Sequence, residues 1–207
     1  MGDDGRRARV TYAGSMTGSP TTATTSNAAR NSVSLPMAAA LACTVVAVAL
    51  TGAAAPLAIA DPGALVRWGV PIAGTVATIA ACATIGLLGL ATFLMPETTR
   101  TTRRITATRL AAVTATVWGV AGLVRLILVF ADLAGLPLTS ENFFSQLLAF
   151  VWQLESTRVL LLSALLALAT ALGAAMAKGR SAMAWCLTAA LTAVVILALT
   201  GHAAGSA

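Results

Sequence analysis

Five long apolar stretches, separated by short polar gaps, follow one another along the chain. A helix rises 1.5 Å per residue, so about 20 apolar residues cross a hydrocarbon core of about 30 Å. Lipid offers the backbone no hydrogen-bond partners, and the residue alternation of a barrel strand is absent, so each stretch is predicted to be a helix. The fold class is therefore all-α, a polytopic transmembrane bundle. Its five predicted spans are Pro36–Ala60, Trp68–Met95, Leu110–Ala131, Val159–Ala177 and Ala182–Ala204.

The first 35 residues differ from the rest of the chain. They are polar and rich in Ser, Thr, Ala and Gly, and they contain several arginines. This composition predicts a disordered cytoplasmic tail, followed by a transmembrane domain over residues 36–207. A signal peptide cleaved between Ala60 and Asp61 is the alternative. The tail is long for a signal peptide and the apolar stretch exceeds the usual ~7–15 residues, so an uncleaved first span is favoured.

Basic residues occupy alternate gaps, and this pattern predicts an orientation. Arginines cluster in the tail and in the gap 96–109, and Lys178 and Arg180 lie in the last turn. The gaps 61–67 and 132–158 carry acidic residues and few basic ones. Because basic loops stay on the cytoplasmic side, the N-terminus is predicted inside and the C-terminus outside. The expected location is the inner or plasma membrane, crossed several times.

The gap 132–158 is long enough to hold an element of its own. Pro137 is expected to stop the third helix, and Ser140 is a plausible N-cap for a new one. Apolar residues then recur at helical spacing, which predicts a short amphipathic helix on the outer surface. Phe144 and Trp152 would anchor it at the membrane interface, and a lid over an outward-facing site is the functional alternative.

Composition and charge narrow the function classes. Hydrophobic residues make up 58% of the 207 residues and charged residues 10%, which excludes an ordinary soluble domain. The net charge of +6 comes with arginines in short loops beside apolar helices, without interleaved aromatics. This favours the lipid bilayer as partner and argues against nucleic acid. Walker, GxGxxG, HExxH and GxSxG motifs are absent from the sequence, so we do not expect an enzyme.

Arg125 is the charged residue that the pattern makes most conspicuous. It lies inside the third span, about seven residues, or ~10 Å, from the outer end. Trp118, Arg125 and Asp132 are spaced by seven and share one helix face. The side chain either snorkels to the outer headgroups or faces an outer cavity. There it would hold an anion, a haem propionate or a carboxylate such as Asp132 or Glu155, which makes it the candidate cofactor-binding residue.

Three residues are candidate metal ligands. His202, the single histidine, lies at the outer end of the last span, and imidazole binds copper, zinc and haem iron. A polar helix-end residue is the alternative for His202. Met183 and Cys186 are three apart in the inner half and offer soft donors for Cu(I), or else fill space as small hydrophobes. Further sulfur donors that would extend a path for copper are Cys43, Cys82 and Met176.

Six segments of the chain carry a family resemblance: Trp68–Gly74, Gly86–Ala91, Val117–Gly122, Ala131–Pro137, Phe150–Glu155 and Thr200–Ala203. They are similar to segments of the actinobacterial copper-resistance D (CopD) family, often fused to a cytochrome c oxidase assembly (CtaG-type) domain. The resemblance covers most of residues 36–207 and implies a multi-span inner-membrane protein that handles copper. It also implies that His202 matches an outward-facing family histidine. Family proteins continue through further spans, so we expect missing C-terminal spans or a membrane protein partner.

Three functions follow as hypotheses. The leading one is copper handling, in copper uptake and resistance or in delivery toward oxidase assembly, with the copper ion as ligand. The second is a non-catalytic structural subunit of a larger complex, whose helices approach through small residues such as Ala115, Gly119 and Gly122. The third is a haem-binding electron-transfer subunit with Arg125 near a propionate.

Overall fold

The computed structural model describes residues 24–55, 61–94, 102–177 and 179–203. Every regular element in these ranges is helical, so the predicted all-α class is confirmed. The chain divides into two compact units, Met1–Pro36 and Met37–Ala207, and the contacts described below lie in the second. The helices are α1 Thr24–Thr51, α2 Ala64–Gly89, a π-helix Leu90–Leu94 that continues α2, α3 Thr102–Ala134, α4 Phe143–Gln153, α5 Glu155–Met176 and α6 Arg180–Ala203.

Four of the described helical segments are long and apolar enough to cross a membrane, and they correspond to the second to fifth predicted spans. The first predicted span, Pro36–Ala60, is not among them. Its helix ends at Thr51, because Gly52 takes a φ of 67° and its carbonyl accepts a hydrogen bond from Ala55 N–H at 2.9 Å. The four segments are Ala64–Leu94, Arg104–Ala134, Glu155–Met176 and Arg180–Ala198.

The segment expected to be a disordered tail is described only in its last part. Residues 1–23 lie outside the described residues, and α1 already begins at Thr24. Helix α1 contains Pro36, which is also the last residue of the first compact unit.

Two polar contacts join the α1 segment to α2. The hydroxyl oxygens of Thr44 and Thr75 lie 3.0 Å apart. Beyond the end of α1, the carbonyl of Ala54 accepts a hydrogen bond from Arg67 Nε at 2.9 Å. Later residues of the α1 segment therefore meet earlier residues of α2, which is the arrangement of a helical hairpin.

Small residues let α3 and α5 approach closely. Ala115 is fully buried, and Gly119 faces Ala164 and Leu168 of α5. A Cβ atom on Gly119 would lie 2.6 Å from Leu168 Cγ and 3.1 Å from the Ala164 carbonyl oxygen. A Cβ atom on Gly122 would lie 3.1 Å from Ala164 Cβ. The predicted close approach along this small-residue patch is confirmed.

The third helix ends three residues earlier than Pro137. Gly135 adopts a φ of 61°, and the N–H of Leu136 donates to the carbonyl of Ala131 at 3.1 Å. This is a Schellman cap, in which a left-handed glycine satisfies the last carbonyls of the helix. The helix therefore ends at Ala134 because of Gly135, and Pro137 lies beyond that end.

Helix α4 confirms the predicted short helix, but its predicted cap was wrong. The helix begins at Phe143, after Asn142, which has a φ of 63° and makes no side-chain cap hydrogen bond. Ser140 instead accepts a hydrogen bond from Phe143 N–H through its own carbonyl at 3.3 Å. Its hydroxyl is buried and has no partner within the described residues. The N-cap position falls on Asn142, so Ser140 lies two residues too early to cap the helix.

The two faces of α4 differ in burial. Phe144 and Trp152 expose more than 70% of their surface, as interface anchors would. Phe143 is buried against Phe130 of α3, with ring centroids 5.1 Å apart. The other buried residues of α4 are Leu147 and Val151. Helix α4 therefore closes one end of the bundle with one apolar face and presents another apolar face outward.

Candidate functional site

Arg125 faces the bundle beside a glycine of the neighbouring helix. It lies nine residues, or ~13 Å, before the end of α3. A Cβ atom on Gly74 of α2 would lie 3.5 Å from Arg125 Nε and 3.7 Å from Cζ. Nε is buried and has no hydrogen-bond partner among the described residues. The structure thus places the Nε end of the guanidinium between helices. This position agrees with the interpretation that Arg125 faces a cavity.

Two cavities meet at Arg125. One has a volume of about 480 Å³ and lies between α1 and α2, and we call it the hairpin cavity. The other has a volume of about 270 Å³, lies beside the start of α5, and is called the α5 cavity. Besides Arg125, the hairpin cavity is lined by Ala40, Thr44, Val70, Pro71, Gly74, Thr75, Thr78 and Ile79, and the α5 cavity by Val129, Leu133, Ser156, Thr157, Leu160 and Leu197.

Hydroxyl groups form the polar part of the hairpin cavity. Thr75 and Thr78 donate to the carbonyls four residues earlier, at 3.0 and 2.9 Å. Thr44 makes the same backbone contact in α1, at 2.9 Å, and also faces Thr75. Because a hydroxyl can rotate its proton to another acceptor, these three groups can donate to an oxygen bound in the cavity.

Carboxylates do not neutralise Arg125 in the part of the chain that the structure describes. Asp132 is exposed at the end of α3, and Glu155 is exposed at the start of α5. Neither forms an ion pair with Arg125, and the ion pair found among the described residues joins Asp61 to Arg67. The line of Trp118, Arg125 and Asp132 along α3 thus runs from the buried core to the surface.

The Asp61–Arg67 pair holds the beginning of α2. Arg67 donates to Asp61 and to the Ala54 carbonyl, and Gly63 N–H donates to Asp61 at 3.0 Å. The hydrogen bond from Arg67, and next that from Gly63, lower the pKa of Asp61 below its ordinary 3.8. This cluster ties the α1–α2 connection to the start of α2, and Asp61 itself lies before the membrane-length segment Ala64–Leu94.

The predicted soft donors Met183 and Cys186 both face the interior. Met183 is 3% exposed and Cys186 is 8% exposed. Met183 Sδ lies 3.8 Å from Nη2 of Arg104 in α3, and a Cβ on Gly173 of α5 would lie 2.8 Å from Cys186 Sγ. The structure therefore confirms their shared face and adds a cationic neighbour that the sequence did not indicate.

The remaining sulfur donors lie on the surface of the bundle. Cys43 and Cys82 are exposed, and Met176 is 69% exposed. Nowhere in the described ranges do three or more His, Cys, Asp or Glu side chains come together. A path for copper through all five sulfur residues stays a prediction.

His202 lies in the last turn of α6, and its side chain falls outside the described residues. Helix α6 is continuous, so His202 lies ~24 Å along the axis from Cys186 and ~28 Å from Met183. These candidate ligands therefore belong to opposite ends of one helix, and one mononuclear site cannot include both.

Two arginines, Arg104 and Arg180, each contact a neighbouring helix at the end of the bundle where α3 and α6 begin. Arg180 at the start of α6 donates from Nε and Nη2 to the carbonyl of Thr92, at 3.0 and 2.8 Å. Thr92 lies in the π-helix Leu90–Leu94, where the ordinary backbone bonding of α2 changes. Arg104 was interpreted only as an orientation signal, and nothing in the sequence linked it to Met183, 79 residues away.

Comparison with known families gives one match. Residues 60–207 match the model of the copper resistance protein D-like N-terminal domain. Neither the curated proteins nor the solved structures gave a match. All four membrane-length helical segments lie inside the matched region. The resemblance seen in the sequence is thereby confirmed, and the chain belongs to the copper resistance protein D-like family, whose N-terminal domain it carries.

Proposed function

We propose that the protein handles copper in the cell membrane, in copper uptake and resistance or in delivery toward oxidase assembly. The observation that carries this proposal is the family match over residues 60–207, which includes all four membrane-length helices. Copper is the cargo of the protein, and no enzymatic step is assigned to the chain.

We also propose the five-span orientation, with the N-terminus inside. The antiparallel pairing of α1 with α2 supports α1 as the first, short crossing. Arg104 and Arg180 lie at one end of the bundle, and basic residues mark the cytoplasmic side. The opposite end carries Asp132 and Glu141, which supports an outer position for α4.

Thiol labelling of intact cells tests this orientation. In a variant without its native cysteines, Glu141→Cys should react with a membrane-impermeant maleimide, and Arg109→Cys should react only after lysis. Both side chains lie on the surface of the bundle, Arg109 near the start of α3 and Glu141 just before α4, so the two labels report opposite sides of the membrane. Labelling of Arg109→Cys and not Glu141→Cys in intact cells would contradict the proposed orientation.

The proposed copper contacts lie at the two ends of α6. His202 serves the outer end, and Met183 with Cys186 serves the inner end. The guanidinium of Arg104 lies beside Met183 Sδ and repels a cation there. A Cu(I) ion at the inner end therefore needs the Cys186 thiolate to offset that charge. A membrane partner or further spans would add ligands to each site.

Copper analysis of the purified chain tests these contacts. The protein in nanodiscs is loaded with Cu(I), passed through a desalting column, and its copper is counted per chain. His202→Ala should lower the copper content, and so should Cys186→Ala. The matched control is Met176→Leu, which changes an exposed sulfur and should leave copper unchanged. Equal copper in all four proteins would remove both assignments. Absence of copper from the wild type favours a structural subunit, and a Soret band favours the haem-binding subunit.

A strain that lacks the protein separates the roles. Lower total cell copper indicates uptake. Normal cell copper with reduced activity of haem–copper oxidase indicates delivery. Normal values of both, with normal growth on excess copper, would contradict the copper-handling proposal.

A further inference from the structure

We propose that Arg125 binds an oxyanion, a phosphate or carboxylate group, in the cavities between α1, α2 and α5. The group comes from a lipid headgroup or from a small dissolved molecule, and the two sources share this chemistry. The inference rests on Arg125 and its surroundings and is independent of any copper contact on α6.

The first argument is the unmatched charge. A guanidinium keeps its charge in proteins, and within a membrane span it is costly unless an anion or polar groups compensate it. Nε of Arg125 is buried and has no partner among the described residues. Asp132 and Glu155, the two carboxylates that the sequence offered as partners, form no ion pair with it. An anion that enters the cavities supplies the missing compensation.

The second argument is the space beside Gly74. With no side chain at this position, the region next to Arg125 Nε and Cζ stays open to the hairpin cavity. That cavity, of about 480 Å³, has the size of a small-ligand pocket, for which ~300–1,000 Å³ is typical. The oxygen-binding group and part of the molecule that carries it can therefore fit beside the arginine.

The third argument is the choice of donors. A guanidinium presents paired N–H groups that match the two oxygens of a carboxylate or phosphate. The hydroxyls of Thr44, Thr75 and Thr78 line the same cavity and can turn toward further oxygens. The other lining residues are apolar, so the carrier of the oxyanion meets hydrocarbon on the remaining sides.

The experiment separates the two sources with two probes. The delipidated protein in neutral detergent is titrated calorimetrically with inorganic phosphate and with acetate. In parallel, protein in nanodiscs of phosphatidylcholine, with or without phosphatidylglycerol, is analysed for tightly bound lipid by native mass spectrometry. Binding of the dissolved anion alone assigns the solute source, and retention of phosphatidylglycerol alone assigns the lipid source. Binding of neither probe overturns the proposal.

Matched variants show whether Arg125 carries the binding. Arg125→Gln should weaken binding about tenfold or more, because hydrogen bonds to charged groups are lost. Gly74→Val keeps the arginine but fills the space beside it, and should weaken binding similarly. Gly74→Ala puts a Cβ at ordinary contact distance, 3.5 Å, and should bind like the wild type. Arg109→Gln removes an exposed charge from the same helix and should also bind normally.

Two outcomes would refute the assignment. One is unchanged binding in both Arg125→Gln and Gly74→Val, with helical content preserved. The other is an equal loss in Arg109→Gln, which would indicate general attraction to positive charge. If Arg125→Gln does not fold, the comparison of Gly74→Val with Gly74→Ala still decides the question, because both retain the guanidinium.

Discussion

Replacement of Gly119 by alanine should destabilise the bundle, although alanine is the better helix former. The added Cβ would lie 2.6 Å from Leu168 Cγ and 3.1 Å from the Ala164 carbonyl oxygen. Leu168 can change rotamer, but the Ala164 oxygen belongs to the backbone of α5 and moves only with that helix. The substitution therefore forces α3 and α5 apart along the small-residue patch.

The magnitude follows from a comparison of two glycines. Overpacking of a close contact costs about 1–3 kcal/mol, and alanine in place of glycine favours a helix by about 1 kcal/mol. Gly86 lies within α2, and nothing within 4 Å would meet its added Cβ. Gly86→Ala therefore gains the helix preference of alanine without the cost of overpacking. The free energies of unfolding of the two variants should differ by the overpacking cost, about 1–3 kcal/mol, with Gly119→Ala the less stable.

The assay is unfolding of the purified protein by a rising mole fraction of SDS, followed by helical circular dichroism. A double-mutant cycle of Gly119→Ala with Leu168→Ala isolates the part of the cost that the leucine side chain causes. Equal stability of Gly119→Ala and Gly86→Ala would refute the close approach of α3 and α5 on which the reasoning depends.

Three further predictions concern the ends of the bundle. Because its folded-state pKa is lowered, Asp61 contributes stability that is complete above its unfolded value of about 3.8 and is lost as the pH falls through the folded value. In the Asp61→Asn variant, the midpoint temperature of thermal unfolding should therefore fall less steeply as the pH is lowered. Arg180→Gln should cost about 1–3 kcal/mol in SDS unfolding by removing two donors from the Thr92 carbonyl, whereas wild-type stability would contradict that contact. Trp152→Phe should reduce the fluorescence that a headgroup-level lipid quencher reaches, and Trp118→Phe should not, because Trp152 is exposed and Trp118 is buried. The exposed Trp185 retains part of the accessible fluorescence in both variants.

The sequence predicted the long helices well, since each depends on a local apolar run. Four predicted spans recur as membrane-length helices with boundaries shifted by several residues. The first span was overextended. Its apolar run continues through Gly52 and Pro56, but a glycine with positive φ ends the helix, and a proline disfavours helical backbone before it. Gly52 and Pro56 were therefore the residues in the sequence that indicated an earlier end of this helix.

The candidate site was predicted in part. Arg125 was recognised because one charge in an apolar span is conspicuous. Its neighbour Gly74 was not recognised, since it is 51 positions away and glycines are common in the spans. The same limit hid the contact of Arg104 with Met183.

The sequence by itself determined the membrane-compatible helices, the amphipathic α4 and the family, because hydrophobic length and local residue pattern carry that information. The tertiary structure alone decided which faces meet. A helix between lipid and other helices is apolar on nearly every side, so its hydrophobic pattern does not mark the face that packs inward. Close approach at Gly119 sets the spacing of α3 and α5. The open space at Gly74 leaves Arg125 beside the hairpin cavity.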